Sequence, residues 1–112
     1  MTFKLFYTDY SDDKHLSSDE AESATLEKII DCMNRLLNEP DNFVGIIDCN
    51  DVMLQFIVED AGTICIDAPI QERRGSFTKS TDLTECIKVV DALQKNIVLE
   101  QINELEFKSW ER

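Results

Sequence analysis

The stretch from Asp41 to Ile70, DNFVGIIDCNDVMLQFIVEDAGTICIDAPI, constrains the fold more than any other part of the chain. Three β-rich runs, at about 43–48, 52–59 and 63–68, are separated only by the turn groups CND and DAG. Connections this short leave no room for a crossover, so the runs must lie antiparallel and form a three-stranded meander. In the middle run Val52, Leu54, Phe56 and Val58 alternate with Met53, Gln55, Ile57 and Glu59. One face is therefore wholly apolar and needs cover. The opposite face, with Met53, Ile57 and in one phase Val44 and Ile46, is apolar enough to want partial cover too. Alternation alone leaves open which face is solvated.

Cover comes from two helical patterns. Ser17-x-x-Glu20 reads as a capping box, followed by Leu26, Ile29, Ile30, Met33, Leu36 and Leu37 at spacings of three and four. This predicts a helix from about residue 18 to Asn38, with Asp31 and Arg35 paired on its wet side and Pro40 ending it. Asp82-x-x-Glu85 opens a second helix to about Lys95, lined by Leu83, Cys86, Ile87, Val90 and Leu93. Residues 2–8, TFKLFYT, alternate as a strand, and Glu104 to Trp110 alternate as a last one at an edge. Between them QERRGSFTKS reads as a solvated connection, with Arg73, Arg74 and Lys79 as the local basic cluster. The expected order is β-α-β-β-β-α-β, a two-layer α+β domain with a mostly antiparallel sheet and two helices over residues 1–112.

Charge is the second constraint. The formal net charge is −12, and residues 8–22, TDYSDDKHLSSDEAE, hold Asp9, Asp12, Asp13, Asp19, Glu20 and Glu22 beside one lysine and the chain's one histidine. Nucleic acid and anionic membranes would both be repelled, leaving a basic protein, a cation or water as the neighbour. On the capping-box reading Asp19, Glu20 and Glu22 sit at the positive end of a helix dipole. Asp9, Asp12 and Asp13 have no such local role. No apolar run approaches the roughly 20 residues of a membrane span, and the first residues lack an apolar leader pattern, so a cytoplasmic location is expected. Cys32, Cys49, Cys65 and Cys86 form no C-x-x-C pair and read as small buried hydrophobes.

Signatures of catalytic chemistry are scarce. His15 has no nucleophile elbow near it, and neither a dinucleotide nor a P-loop glycine pattern occurs. A calcium loop begun at Asp9 would place Lys14 where glycine is required. No enzyme activity, metal or cofactor is expected. Binding another protein is the expected work. Asp9, Asp12, Asp13, Asp19, Glu20 and Glu22 would steer a basic partner, and Tyr10 and Trp110 would anchor it, with Trp110 nearby if the terminal strands pair.

The run from a helix through Asn42-Phe43-Val44 and Leu54-Gln55 to a second helix and Trp110 resembles bacterial immunity proteins of polymorphic toxin systems. It is similar in particular to the group that neutralises nucleic-acid deaminase toxins, whose sheet often carries extra strands. The resemblance covers roughly residues 18–112. It implies stoichiometric inhibition of a cognate toxin, whose basic substrate cleft is capped by an acidic surface, by a monomer or weak dimer. The alternative is a small acidic secretion chaperone that escorts an effector, for which Met53 and Ile57 would form part of an apolar groove.

Overall fold

The structure is a computed structural model that describes residues 2–110. The chain runs β1 (Thr2–Asp9), β2 (Lys14–Leu16), β3 (Glu22–Thr25), α1 (Leu26–Leu36), β4 (Phe43–Ile47), β5 (Met53–Val58), β6 (Ile64–Ile70), β7 (Gly75–Thr81), α2 (Leu83–Asp91) and β8 (Glu106–Ser109). All eight strands join one antiparallel sheet in the order β2-β1-β4-β5-β6-β7-β8, with β3 also paired to β1. The α+β architecture and the central meander are those the sequence predicts.

The meander's register decides the question of faces. Val44 pairs with Phe56 and Ile46 with Leu54, so Val44 and Ile46 lie on the core face and not beside Met53 and Ile57. Ile66 continues the row from Phe56, and Phe3 and Leu5 of β1 complete it. Both helices cover this one face. Ile29, Met33 and Leu36 of α1 and Cys86 and Val90 of α2 are buried against Val44, Leu54, Phe56 and Ile66. Fully burying such a side chain contributes about 1.5–3 kcal/mol relative to exposure, so this row is a large part of the driving force for folding.

The first helix starts later than its capping pattern suggests. Thr25 is the N-cap, its Oγ1 accepting from Lys28 N–H at 3.2 Å. Ser17 and Glu20 do interact, Ser17 Oγ donating to Glu20 Oε1 at 3.1 Å, but they close a short 3-10 turn over Ser18–Glu20. The reason is tertiary. Glu22–Thr25 find ladder partners on β1, from Leu5–Glu22 to Thr2–Thr25. Leu16 stands opposite Tyr7 and Glu22 opposite Leu5, so β2 and β3 form one edge strand interrupted where residues 17–21 face Phe6 alone. This five-residue excursion, built on the 3-10 turn, interrupts the ladder as a large bulge would, and interrupting an edge is a known way of blunting it.

The segment expected as a solvated connection is partly a strand. Gln71–Arg73 make a 3-10 turn, Arg74 takes a left-handed conformation at φ 49°, and Gly75–Thr81 then pair along the whole of β6. The run of Ser, Thr and Lys hid it, because these side chains need no apolar face at the side of the sheet farthest from α1. The second helix keeps its expected start, Asp82 Oδ1 accepting from Glu85 N–H at 2.8 Å, but ends at Asp91. The terminal strand is an edge strand paired to β7.

Candidate partner-binding surface

Residues 9–14 form the turn of a β-hairpin, and Asp9 is its organiser. Its Oδ1 accepts from Ser11 Oγ at 2.8 Å, from Asp12 N–H at 3.4 Å and from Asn42 Nδ2 at 3.2 Å. These hydrogen bonds, Ser11's first, hold the Asp9 carboxyl below its ordinary pKa. Asn42 is buried and also donates to Leu36 O at 3.0 Å, while its Oδ1 accepts from Tyr10 N–H at 2.8 Å. Asp9 therefore has a structural role that the sequence did not reveal. Asp12 pairs with Lys14 at 3.3 Å, and Asp13 occupies the left-handed region at φ 51°. Tyr10 is 64% exposed at the tip.

The sequence-predicted contact residues do not converge. Asp9, Tyr10, Asp12 and Asp13 share the hairpin turn, Asp19 and Glu20 lie in the 3-10 turn partway along the β1 edge, and Glu22 lies beyond it in β3. None of Asp19, Glu20 and Glu22 charges the N-terminus of α1, which is capped by Thr25. Trp110 is at the far side of the sheet, because the terminal strands do not pair and β4, β5, β6 and β7 stand between β1 and β8. At about 4.8 Å per strand that separation is on the order of 24 Å.

Other acids take their place. The β1–β2, α1–β4 and β5–β6 connections and the β7–α2 junction all emerge at one end of the sheet, as the antiparallel registers require. They bring Asp12, Asp13, Glu39, Asp41, Asp60 and Asp82 to that end, all of them exposed. Lys14 at the same end is already paired with Asp12, and Lys79 is held by Glu85 at 3.6 Å. Asp41 takes the left-handed region at φ 71° in its turn. Sequence patterning missed this grouping because its members are up to 70 residues apart.

The sheet face opposite the helices is uncovered among the described residues. Phe43, Ile47, Met53, Ile57, Cys65 and Asp67 lie there half-buried. Phe6 is buried on this face because its ring lies across Gly45, its cross-strand partner, where a Cβ would meet the ring directly. Phe43 packs edge-on against it, with centroids 6.4 Å apart. Toward β8 the face becomes polar. Trp110 Nε1 donates to Ser76 Oγ at 3.1 Å, Ser76 hydrogen-bonds Asp67, and Gln55 Nε2 donates to Asp67 Oδ2 at 3.2 Å. Burial raises the Asp67 carboxyl above its ordinary range, more than these two hydrogen bonds lower it. Trp110 is 49% exposed, its ring fixed by this chain.

The thiols are in quiet environments. Burial pushes Cys86 up to about 12 and raises Cys32 and Cys65, which disfavours the nucleophilic thiolate at neutral pH. Cys49 is exposed in the β4–β5 turn, not buried as its apolar neighbours suggested. His15 is on β2, its Nδ1 2.8 Å from Thr8 Oγ1. In comparisons with family models, curated proteins and solved structures, no match to this chain was found.

Proposed function

We propose that this protein is a stoichiometric protein-binding inhibitor, an immunity protein that neutralises a basic, nucleic-acid-targeting toxin by laying its acidic sheet end over the toxin's cleft in the cytoplasm. The observation that carries the reading is the gathering of Asp12, Asp13, Glu39, Asp41, Asp60 and Asp82 at one end, where Lys14 is already paired. Such a field raises the association rate with a cationic cleft and repels competing nucleic acid. The exposed Tyr10 at the hairpin tip supplies an amphipathic anchor within that field.

The test begins with capture of a binding partner at low ionic strength, followed by titration of its activity against this protein. Loss of activity at one-to-one ratio supports inhibition. The variant Asp12→Asn/Asp13→Asn/Asp41→Asn/Asp60→Asn should then associate about tenfold more slowly, with a flatter salt dependence and a nearly unchanged dissociation rate. Unchanged association kinetics would defeat the reading.

A second reading, a chaperone for a secreted effector, is favoured by the uncovered Phe43, Ile47, Met53 and Ile57. It predicts salt-resistant binding that Met53→Asp and Ile57→Asp abolish and that the acidic variant leaves intact.

A further inference from the structure

The β8 edge lies far from the acidic end and has chemistry of its own. Among the described residues, β8 pairs on one side only, with β7. Trp110 N–H donates to Arg74 O at 2.8 Å, which makes Trp110–Arg74 a hydrogen-bonded pair of the ladder. Hydrogen-bonded and non-hydrogen-bonded pairs alternate along an antiparallel ladder. Glu106 and Lys108 therefore turn their backbone groups toward β7. Phe107 turns its N–H and C=O outward, to the open edge. The close approach of Phe77 and Phe107, with centroids 5.3 Å apart, fits their place as a non-hydrogen-bonded pair.

A second strand added at this edge must satisfy those outward groups and tolerate the charges beside them. The local sequence is Glu104-Leu105-Glu106-Phe107-Lys108. Suppose that strand is β8 of a second copy, related by a two-fold axis. Centring the axis on Glu106 or on Lys108 sets like charges directly opposite, and centring it on Leu105 opposes Glu104 to Glu106. Each arrangement is destabilising. Centring it on Phe107 opposes Glu106 of one copy to Lys108 of the other, twice. The same register lets the two Phe107 residues exchange both outward hydrogen bonds. Among the registers centred on residues 105–108, charge thus selects one, and it is self-complementary, as a two-fold contact requires.

We propose that β8 is a homodimerisation edge, with β8 pairing antiparallel to β8 of a second copy about Phe107. Glu106 and Lys108 are both exposed, and neither forms a salt bridge among the described residues; the Lys108 ammonium helps hold the Glu59 carboxyl below its ordinary pKa, so a direct pair with Glu106 across the seam competes only with that longer-range attraction. On the core side the two Phe107 rings meet, each already stacked under Arg73, whose guanidinium lies 4.2 Å from the ring centroid. The two-fold stands perpendicular to the sheet, so the uncovered faces of both copies become one continuous surface with a Trp110 on each side of the seam. A strand of this length buries far less than the roughly 1,200 Å² of a stable interface, so self-association is weak and concentration-dependent.

The experiment is sedimentation equilibrium of the wild type and charge variants at physiological salt, over roughly micromolar to millimolar concentration. Reversible dimerisation of the wild type is expected. Glu106→Lys or Lys108→Glu alone should weaken it at least about tenfold, because each sets two like-charge pairs across the seam. Mixing those two single variants should restore association as a heterodimer, and the double exchange Glu106→Lys/Lys108→Glu should dimerise like the wild type. Circular dichroism checks that each variant is folded. A wild type that stays monomeric throughout, or a dimer indifferent to the charge exchanges, overturns the proposal. Partner capture by a monomeric single variant keeps this outcome separate from that of the inhibitor reading, which rests on a different part of the sheet.

Discussion

Asn42 donates from Nδ2 to Asp9 Oδ1, 33 residues away in sequence, at 3.2 Å and to Leu36 O at 3.0 Å, joining the acidic hairpin to the end of α1. With Tyr10 N–H on its Oδ1, this buried amide uses most of its hydrogen-bonding capacity. Asn42→Ala would strand the Leu36 carbonyl and loosen the hairpin, at a cost of about 2–3 kcal/mol. Urea unfolding measures it. The same relationship divides the acids into structural and non-structural ones. Asp12→Asn/Asp13→Asn should leave the melting temperature nearly unchanged, whereas adding Asp9→Asn should lower it.

That Asp9 contribution has a definite pH dependence. A carboxyl whose pKa is lowered on folding stabilises the fold above its unfolded value, near 3.8, and the benefit is lost as pH falls through the folded value. The melting-temperature difference between wild type and Asp9→Asn should therefore be largest at neutral pH. It should shrink below about pH 4. A difference that persists undiminished at about pH 2 would mean that charge is not its cause.

Asp48 makes the corresponding link at the other end of the sheet. It is buried, its Oδ1 accepts from Asn50 and Val52 N–H, each at 2.9 Å, and its Oδ2 accepts from Ile97 N–H at 2.8 Å. One side chain thus closes the β4–β5 turn and fastens the segment after α2 to it. Asp48→Ala should cost roughly 3 kcal/mol, since three donors lose a charged acceptor. Amide hydrogen exchange should show Ile97 losing protection first.

Gly45 has no room for a side chain because the Phe6 ring occupies it. Gly45→Ala should destabilise by about 1–3 kcal/mol, an overpacking cost. Combining it with Phe6→Leu should cost less than the sum of the two single changes, because the shorter side chain vacates the space. Strict additivity in thermal unfolding would remove the steric explanation.

Asp67 behaves oppositely to Asp9. Its carboxyl pKa is raised by burial on the uncovered face, so ionising it opposes folding as pH climbs from 3.8 through the raised value. Asp67→Asn should melt higher than wild type at about pH 7 and show no advantage below about pH 3. An advantage at every pH would point to packing instead of charge.

The meander follows from the residue order alone, because FVGIIDCNDVMLQFIVEDAGTICIDAPI leaves no length for any connection but a tight turn. That order also determined the buried stripes of both helices and the Asp82 cap, since a local hydrogen bond needs only local residues. The start of α1, the strand over Gly75–Thr81 and the separation of Trp110 from the hairpin were decided by tertiary structure. In the first two cases a polar segment took its conformation from a ladder partner distant in sequence, Glu22–Thr25 from β1 and Gly75–Thr81 from β6; in the third, a strand legible from its alternation took its place in the sheet from β7. The acidic end was decided in the same way. No run of letters brings Asp12, Asp41, Asp60 and Asp82 together; the alternating direction of antiparallel strands does, by returning every second connection to the same end of the sheet.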